Sequence, residues 1–195
     1  MTGLLHRVNW VDIIALILLI RITYISSRIG VGKQILPVVL LVFILTVSLH
    51  NYKDIASFFA GRYAFSTLIC RFFSYFFITV IFSVGYHIIS HVTGFRLLSG
   101  EMEPGRIEKV GGTALGIIRS GLIIGMVLIG LLLMPVRFVE KSVRKSFLGS
   151  FYINASLRVY TTVANLAFKG ARVSYREDRE ELFLKKGKYI FDTQK

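Results

Sequence analysis

Residues 110–136 read VGGTALGIIRSGLIIGMVLIGLLLMPV, and this stretch decides the class of fold. Arg119 is its only charged residue. The stretch is longer than the roughly 20 apolar residues that a helix needs to cross a bilayer. Because lipid gives apolar side chains no reason to prefer another helix, membrane helices associate where small residues let two backbones approach. We therefore predict a membrane helix packed on a neighbour, within this chain or in a second copy. The small residues recur at helical spacing on two adjacent faces: Gly112, Gly116, Ser120, Gly121 and Gly125.

The composition of the whole chain agrees with a membrane protein. Hydrophobic residues make up 54% of the 195 residues and charged residues 18%, which is too apolar for an ordinary soluble domain. The formal net charge is +13, yet no helix-turn-helix or basic and aromatic single-strand platform accompanies it. We therefore expect a lipid bilayer, not nucleic acid, as the partner of the positive charge. The single cysteine, Cys70, excludes an intrachain disulfide.

The apolar runs predict an all-α polytopic membrane protein with four transmembrane helices. The first span carries Asp12 near its start and Arg21 near its end, where both side chains can reach headgroups. The second has Pro37 in its first turn, where a missing N–H costs little. An even number of spans places both termini on one side of the membrane. The spans are predicted at about 9–26, 34–50, 68–90 and 111–134.

Two further segments are amphipathic and predict helices lying in the membrane surface. The first, at about 54–64, has Ile55, Phe58 and Tyr63 on one face. The second, at about 145–168, carries an apolar stripe that we expect to face the membrane. The predicted membrane domain therefore covers residues 1–169, and a charged tail covers 170–195. The stripe consists of Leu148, Tyr152, Ala155, Val159, Val163 and Leu166.

Several charges lie within or beside the predicted spans. Arg21, Arg71 and Arg119 are costly, because an arginine at the bilayer centre costs at least ~2.5 kcal/mol on insertion scales. We interpret them as side chains that extend to the headgroups, with a bundle-facing Arg119 beside Ser120 as the alternative. Asp12 and Arg71 emerge on the same side of a four-span protein, so an ion pair between them is an option.

A basic cluster after Pro135 indicates how the protein is oriented in the membrane. Such clusters are enriched in cytoplasmic loops and attract anionic headgroups, so we expect cytoplasmic termini. Arg28 and Lys33 make the first loop basic as well, which weakens the asymmetry. The cluster consists of Arg137, Lys141, Arg144 and Lys145.

Four segments resemble the colicin V production (CvpA) family. The segment 108–119, EKVGGTALGIIR, is similar to the acidic-basic-x-x-Gly-x-x-x-Gly-x-x-Arg pattern that opens the last membrane helix of that family. The start Asn9-Trp10-Val11-Asp12, the basic loop from Ser27 to Lys33 and the stretch Ser146-Phe147-Leu148 resemble the family in matching order. The similarity covers roughly residues 9–164. It implies a bacterial inner-membrane protein needed to produce or export a peptide toxin.

No pattern in the sequence predicts an enzyme. A Gly-x-Ser-x-Gly elbow and a His-Glu-x-x-His motif are both absent. His87 and His91 have a spacing that suits a metal, but no Asp, Glu or Cys lies near them in sequence, and we interpret them as interfacial. We therefore predict no catalytic residue, no cofactor and no metal.

Two classes of function are compatible with these features. The first is an accessory or scaffold protein of the inner membrane that supports toxin production or export and the envelope. The alternative is a small oligomeric pore or transport subunit. A conduction path normally shows polar or ionisable residues along a bundle-facing stripe, and the sequence offers only isolated arginines.

Overall fold

The computed structural model describes residues 9–28, 31–63, 66–92 and 105–167. These residues form helices and no strand, which confirms the all-α prediction. The predicted tail at 170–195 lies outside the described residues. The helices are α1 (Trp10–Ser27), α2 (Gly32–Tyr63), α3 (Thr67–Val92), α4 (Arg106–Leu133), α5 (Arg137–Lys145) and α6 (Phe147–Ala167).

Four of these helices, α1 to α4, are long and apolar enough to cross a membrane. Their outer faces carry large apolar side chains, such as Ile17, Phe77 and Ile117, that are about half exposed or more. Such a surface suits lipid and not water, because soluble proteins rarely expose apolar patches of this extent. The chain is therefore a polytopic helical membrane protein.

Contacts between side chains give the directions of the four helices. The rings of Phe43 and Phe82 lie 6.0 Å apart, and those of Tyr52 and Tyr75 lie 6.3 Å apart, so α2 and α3 run antiparallel. The start of α1 lies against the end of α4, whereas the end of α1 lies beside Gly116. Helices α1 and α4 are therefore antiparallel too, and α2 returns in the same direction as α4.

The predicted surface helix at about 54–64 is not a separate element. Helix α2 continues without a break to Tyr63, and its 32 residues span about 48 Å against a hydrocarbon core of about 30 Å. The change from apolar to amphipathic sequence after Leu49 marks a change of surroundings along one helix. No proline or glycine stands between Leu49 and Ile55 to end it.

The predicted amphipathic helix at about 145–168 corresponds to α6 (Phe147–Ala167), and the structure adds a separate short helix, α5, before it. Helix α5 ends at Lys145 and α6 begins at Phe147, with Ser146 between them in an extended conformation. The predicted apolar stripe, which we expect to face the membrane, is not the face that packs on the other helices, because Leu166 is 75% exposed and Ala155 is exposed. The face of α6 that is buried against α4, α2 and α1 contains Ile153, Ser156, Leu157, Tyr160 and Ala164.

The difference between the two faces of α6 has a physical cause. Hydrophobicity favours burial in lipid and burial against protein alike, so an apolar stripe does not identify its neighbour. The buried face of α6 includes the small polar residues Ser156 and Thr161, which periodicity of apolar residues passes over. Helix α6 is therefore part of the bundle.

Candidate functional site

The first small-residue face of α4 lies against α1. A Cβ atom built on Gly116 would lie 2.5 Å from the Cβ of Ser26 and 3.4 Å from the Cα of Thr23. Gly112 is buried on the same face. Ser120 is fully buried, and its hydroxyl donates to the carbonyl oxygen of Ile117 over 2.8 Å. At Gly116 this face therefore leaves no free space for a larger side chain unless Ser26 moves.

The second small-residue face lies against α6. A Cβ atom on Gly121 would lie 3.3 Å from the Tyr152 ring. A Cβ atom on Gly125 would lie 2.9 Å from both the carbonyl oxygen of Tyr152 and the Cβ of Ser156, and would overlap the Ser156 hydroxyl. Helix α6 therefore crosses α4 at Gly125 with backbone contact, and both faces of α4 have neighbours within this chain.

Asp12 joins the start of α1 to the start of α6. Its Oδ1 accepts a hydrogen bond from the Ser146 hydroxyl over 2.6 Å and another from the Leu148 N–H over 3.0 Å. The Ser146 hydroxyl in turn accepts from the Gly149 N–H over 2.7 Å. The first N–H groups of a helix have no partner within the helix, and the helix dipole favours a negative charge there. Asp12 and Ser146 therefore cap α6 together.

Two further contacts attach α1 to α5. The Asn9 side-chain amide donates to the carbonyl oxygen of Ser142 near the end of α5. The Trp10 and Phe138 rings are stacked, with centroids 6.4 Å apart and planes inclined by 7°. We call the residues Asn9, Trp10, Asp12, Ser142 and Ser146 the α1–α5–α6 junction. It fixes the position of the last two helices relative to the spans.

The partners of Asp12 in the structure differ from the ion pair with Arg71 that the sequence suggested. Its hydrogen-bond partners among the described residues are Ser146, Leu148 and the Asn9 N–H, not Arg71. Sequence reasoning did not assign this role to Ser146, although a serine directly before an apolar helical run is a known helix-start signal. Pairing it with a carboxylate from α1 requires the tertiary structure.

The three membrane arginines occupy different surroundings. Arg21 is exposed on α1, and Arg71 is half-buried near the start of α3. Arg119 is half-buried near the middle of α4 and lines a cavity between α2, α3 and α4. Its side chain therefore contributes to the lining of a cavity within the bundle.

The basic cluster lies on and beside α5. Arg144 forms an ion pair with Glu140 over 2.8 Å, one helical turn away. The side chains of Arg137, Lys141 and Lys145 are exposed. The structure therefore presents three cations on a short helix that is held to α1 at the junction. Surface cations of this kind each contribute about 1 kcal/mol of attraction to an anionic membrane.

Within the described residues, no group of three or more His, Cys, Asp or Glu side chains is placed to hold a metal ion. The side chains of His87 and His91 lie outside the described part of the chain.

Four long apolar helices, with α5 and α6 fastened to them at the α1–α5–α6 junction, define a polytopic helical membrane protein. A family model described as colicin V production protein matches residues 11–157, which is most of the chain. The chain belongs to the colicin V production protein family. None of the curated proteins or solved structures compared with the chain matches it.

Proposed function

We propose that this protein is a non-catalytic accessory of toxin production or export, and of the envelope, in the bacterial inner membrane. Family membership supports a role in toxin production or export. The observation that supports a scaffold role is the α1–α5–α6 junction. Because Asp12 and Ser146 fix α6 and Asn9 holds α5, the exposed cations of α5 have a defined position on the side of the N-terminus. A scaffold needs such a fixed surface for headgroups or for an acidic partner.

The small-residue faces of α4 limit where a partner protein can bind. They are filled by α1 and α6, so a second copy or another membrane protein would bind elsewhere. The exposed surface of α5, with Arg137, Lys141 and Lys145, is the part of the bundle that best suits this contact.

The test uses a bacterial strain that makes a colicin V-type toxin. Deleting the gene should lower the toxin in the medium, and the parent protein should restore it. Arg137→Gln, Lys141→Gln and Lys145→Gln combined should restore it poorly while the protein reaches the membrane in parental amounts, since the bundle contacts are kept. Arg62→Gln, an exposed cation at the end of α2, is the matched control. Full restoration by the triple variant would refute the scaffold surface.

The pore alternative makes a different prediction. Outside the cavity beside Arg119, the interior of the bundle contains closely packed apolar side chains such as Leu45, Ile129 and Leu132, none more than 1% exposed. We therefore expect purified protein in liposomes to give no ion flux above that of empty liposomes. Flux that depends on protein concentration would favour an oligomeric pore and overturn the scaffold proposal.

We further expect both termini in the cytoplasm, because the four spans are even in number and the cluster on α5 is basic. Reporter fusions at Thr2 and Lys195, one active only in the cytoplasm and one only in the periplasm, measure this. Opposite signals at the two ends would contradict four spans, and periplasmic signals at both would reverse the orientation.

A further inference from the structure

A partly open cavity of about 260 Å³ lies between α2, α3 and α4. Apolar residues line it, among them Leu40 and Ile44 from α2 and Ile123 from α4. Ser83 and Tyr86 from α3 and Arg119 from α4 line it as well, together with Thr79, whose hydroxyl donates to that of Ser48 over 3.1 Å. A liquid water occupies about 30 Å³, so the cavity is far larger than a single water site.

Arg119 is the charged side chain among the described residues that line this cavity. Its Nε is buried and has no hydrogen-bond partner among the described residues. None of the described side chains that line the cavity is an Asp or Glu. Arg119 is half-buried, and its buried N–H loses hydration without gaining a hydrogen bond in return. An anion placed in the cavity would remove that cost.

Arg21 provides a comparison at similar depth. Thr23 of α1 touches Gly116 of α4. Arg21 lies two residues before Thr23 and Arg119 three residues after Gly116, on antiparallel helices, so the two differ in depth by only about 1.5 Å on helical rise. Arg21 faces outward and is exposed, whereas Arg119 faces the cavity. The two arginines therefore differ in their surroundings and not in their depth in the membrane.

We propose that this cavity binds an anionic phospholipid. Two oxygens of its phosphate accept hydrogen bonds from the Arg119 guanidinium. Arginine suits this because its planar fork of N–H donors matches phosphate, and hydroxyl groups such as that of Ser83 can donate to the remaining oxygens. The cavity holds the phosphate and the first part of the lipid, and an acyl chain packs against Leu40 and Ile44, which line it. This site goes beyond the proposed scaffold function and does not depend on it.

The experiment measures lipid bound to the purified full-length protein in detergent by native mass spectrometry, during titration with phosphatidylglycerol. Arg119→Gln should weaken binding about tenfold or more, which is typical of losing hydrogen bonds to a charged group. Arg21→Gln should change it less than about twofold, because an outward arginine contributes only general attraction. Equal losses in the two variants, or none in Arg119→Gln, would overturn the site.

A second pair of variants keeps Arg119 and covers the case in which its replacement unfolds the protein. Leu40→Trp should fill the apolar wall and weaken lipid binding, whereas Val39→Trp, on the exposed face of the same helix, should not. Parental binding by Leu40→Trp would contradict an acyl chain in the cavity.

Inorganic phosphate distinguishes the two sources of the anion. It should fail to displace phosphatidylglycerol, since it lacks the apolar part of the contact. Displacement at comparable concentration would show a site for free phosphate and refute the lipid proposal.

Discussion

Replacing Gly125 by alanine should destabilise the protein by about 3 kcal/mol, at the upper end of the usual cost of overpacking a core. The added methyl group would lie 2.9 Å from the carbonyl oxygen of Tyr152, which belongs to the backbone of α6 and cannot rotate away. It would also meet the side chain of Ser156. Helix α6 must therefore move as a whole. The loss exceeds the roughly 1 kcal/mol that alanine gains over glycine within a helix.

Thermal unfolding in detergent measures this effect, and Gly85→Ala is the matched control. Gly85 lies within α3, and a Cβ atom there would have no neighbour within 4 Å, so its replacement should leave the melting temperature unchanged or slightly raised. Gly116→Ala should be intermediate, because the nearest atoms belong to the Ser26 side chain. A melting temperature for Gly125→Ala equal to that of Gly85→Ala would show that α4 and α6 are not in backbone contact.

Replacing Asp12 by alanine should release α5 and α6 from the spans. The change leaves the Ser146 hydroxyl and the Leu148 N–H without their acceptor. Each unsatisfied group costs about 1–3 kcal/mol, so the total expected loss is about 3 kcal/mol. Asp12→Asn should be milder, because an amide oxygen still accepts hydrogen bonds but lacks the charge that favours a helix start.

The release can be measured by thiol labelling in a Cys70→Ala background. Leu157 is 1% exposed on the inner face of α6, so a cysteine at this position should resist a membrane-impermeant reagent in the parent and react after Asp12→Ala. Asp54→Ala removes an exposed carboxylate from α2 and should change nothing. Ser146→Ala combined with Asp12→Ala should cost less than the sum of the single changes, because the two side chains share a hydrogen bond. Persistent protection in Asp12→Ala would refute the junction.

The sequence by itself determined the class of fold and the existence of the spans. Long uncharged runs have one stable location, since every backbone polar group in lipid must be satisfied within a helix. The spacing of Gly116, Gly121 and Gly125 predicted close packing, and the structure places α1 and α6 against those residues. These features are local, so they can be read from neighbouring positions in the chain.

Only the tertiary structure decided which neighbours those faces have. The partner of Asp12 is Ser146, far along the chain, and neither residue carries a local mark of the other. The inner face of α6 includes Ser156, which hydropathy places outside. The cavity around Arg119 combines three helices. The physical reason is common to all three: in a membrane, apolar periodicity shows which residues avoid water, whereas fit between small residues, hydrogen bonds and charges selects the helix that covers them.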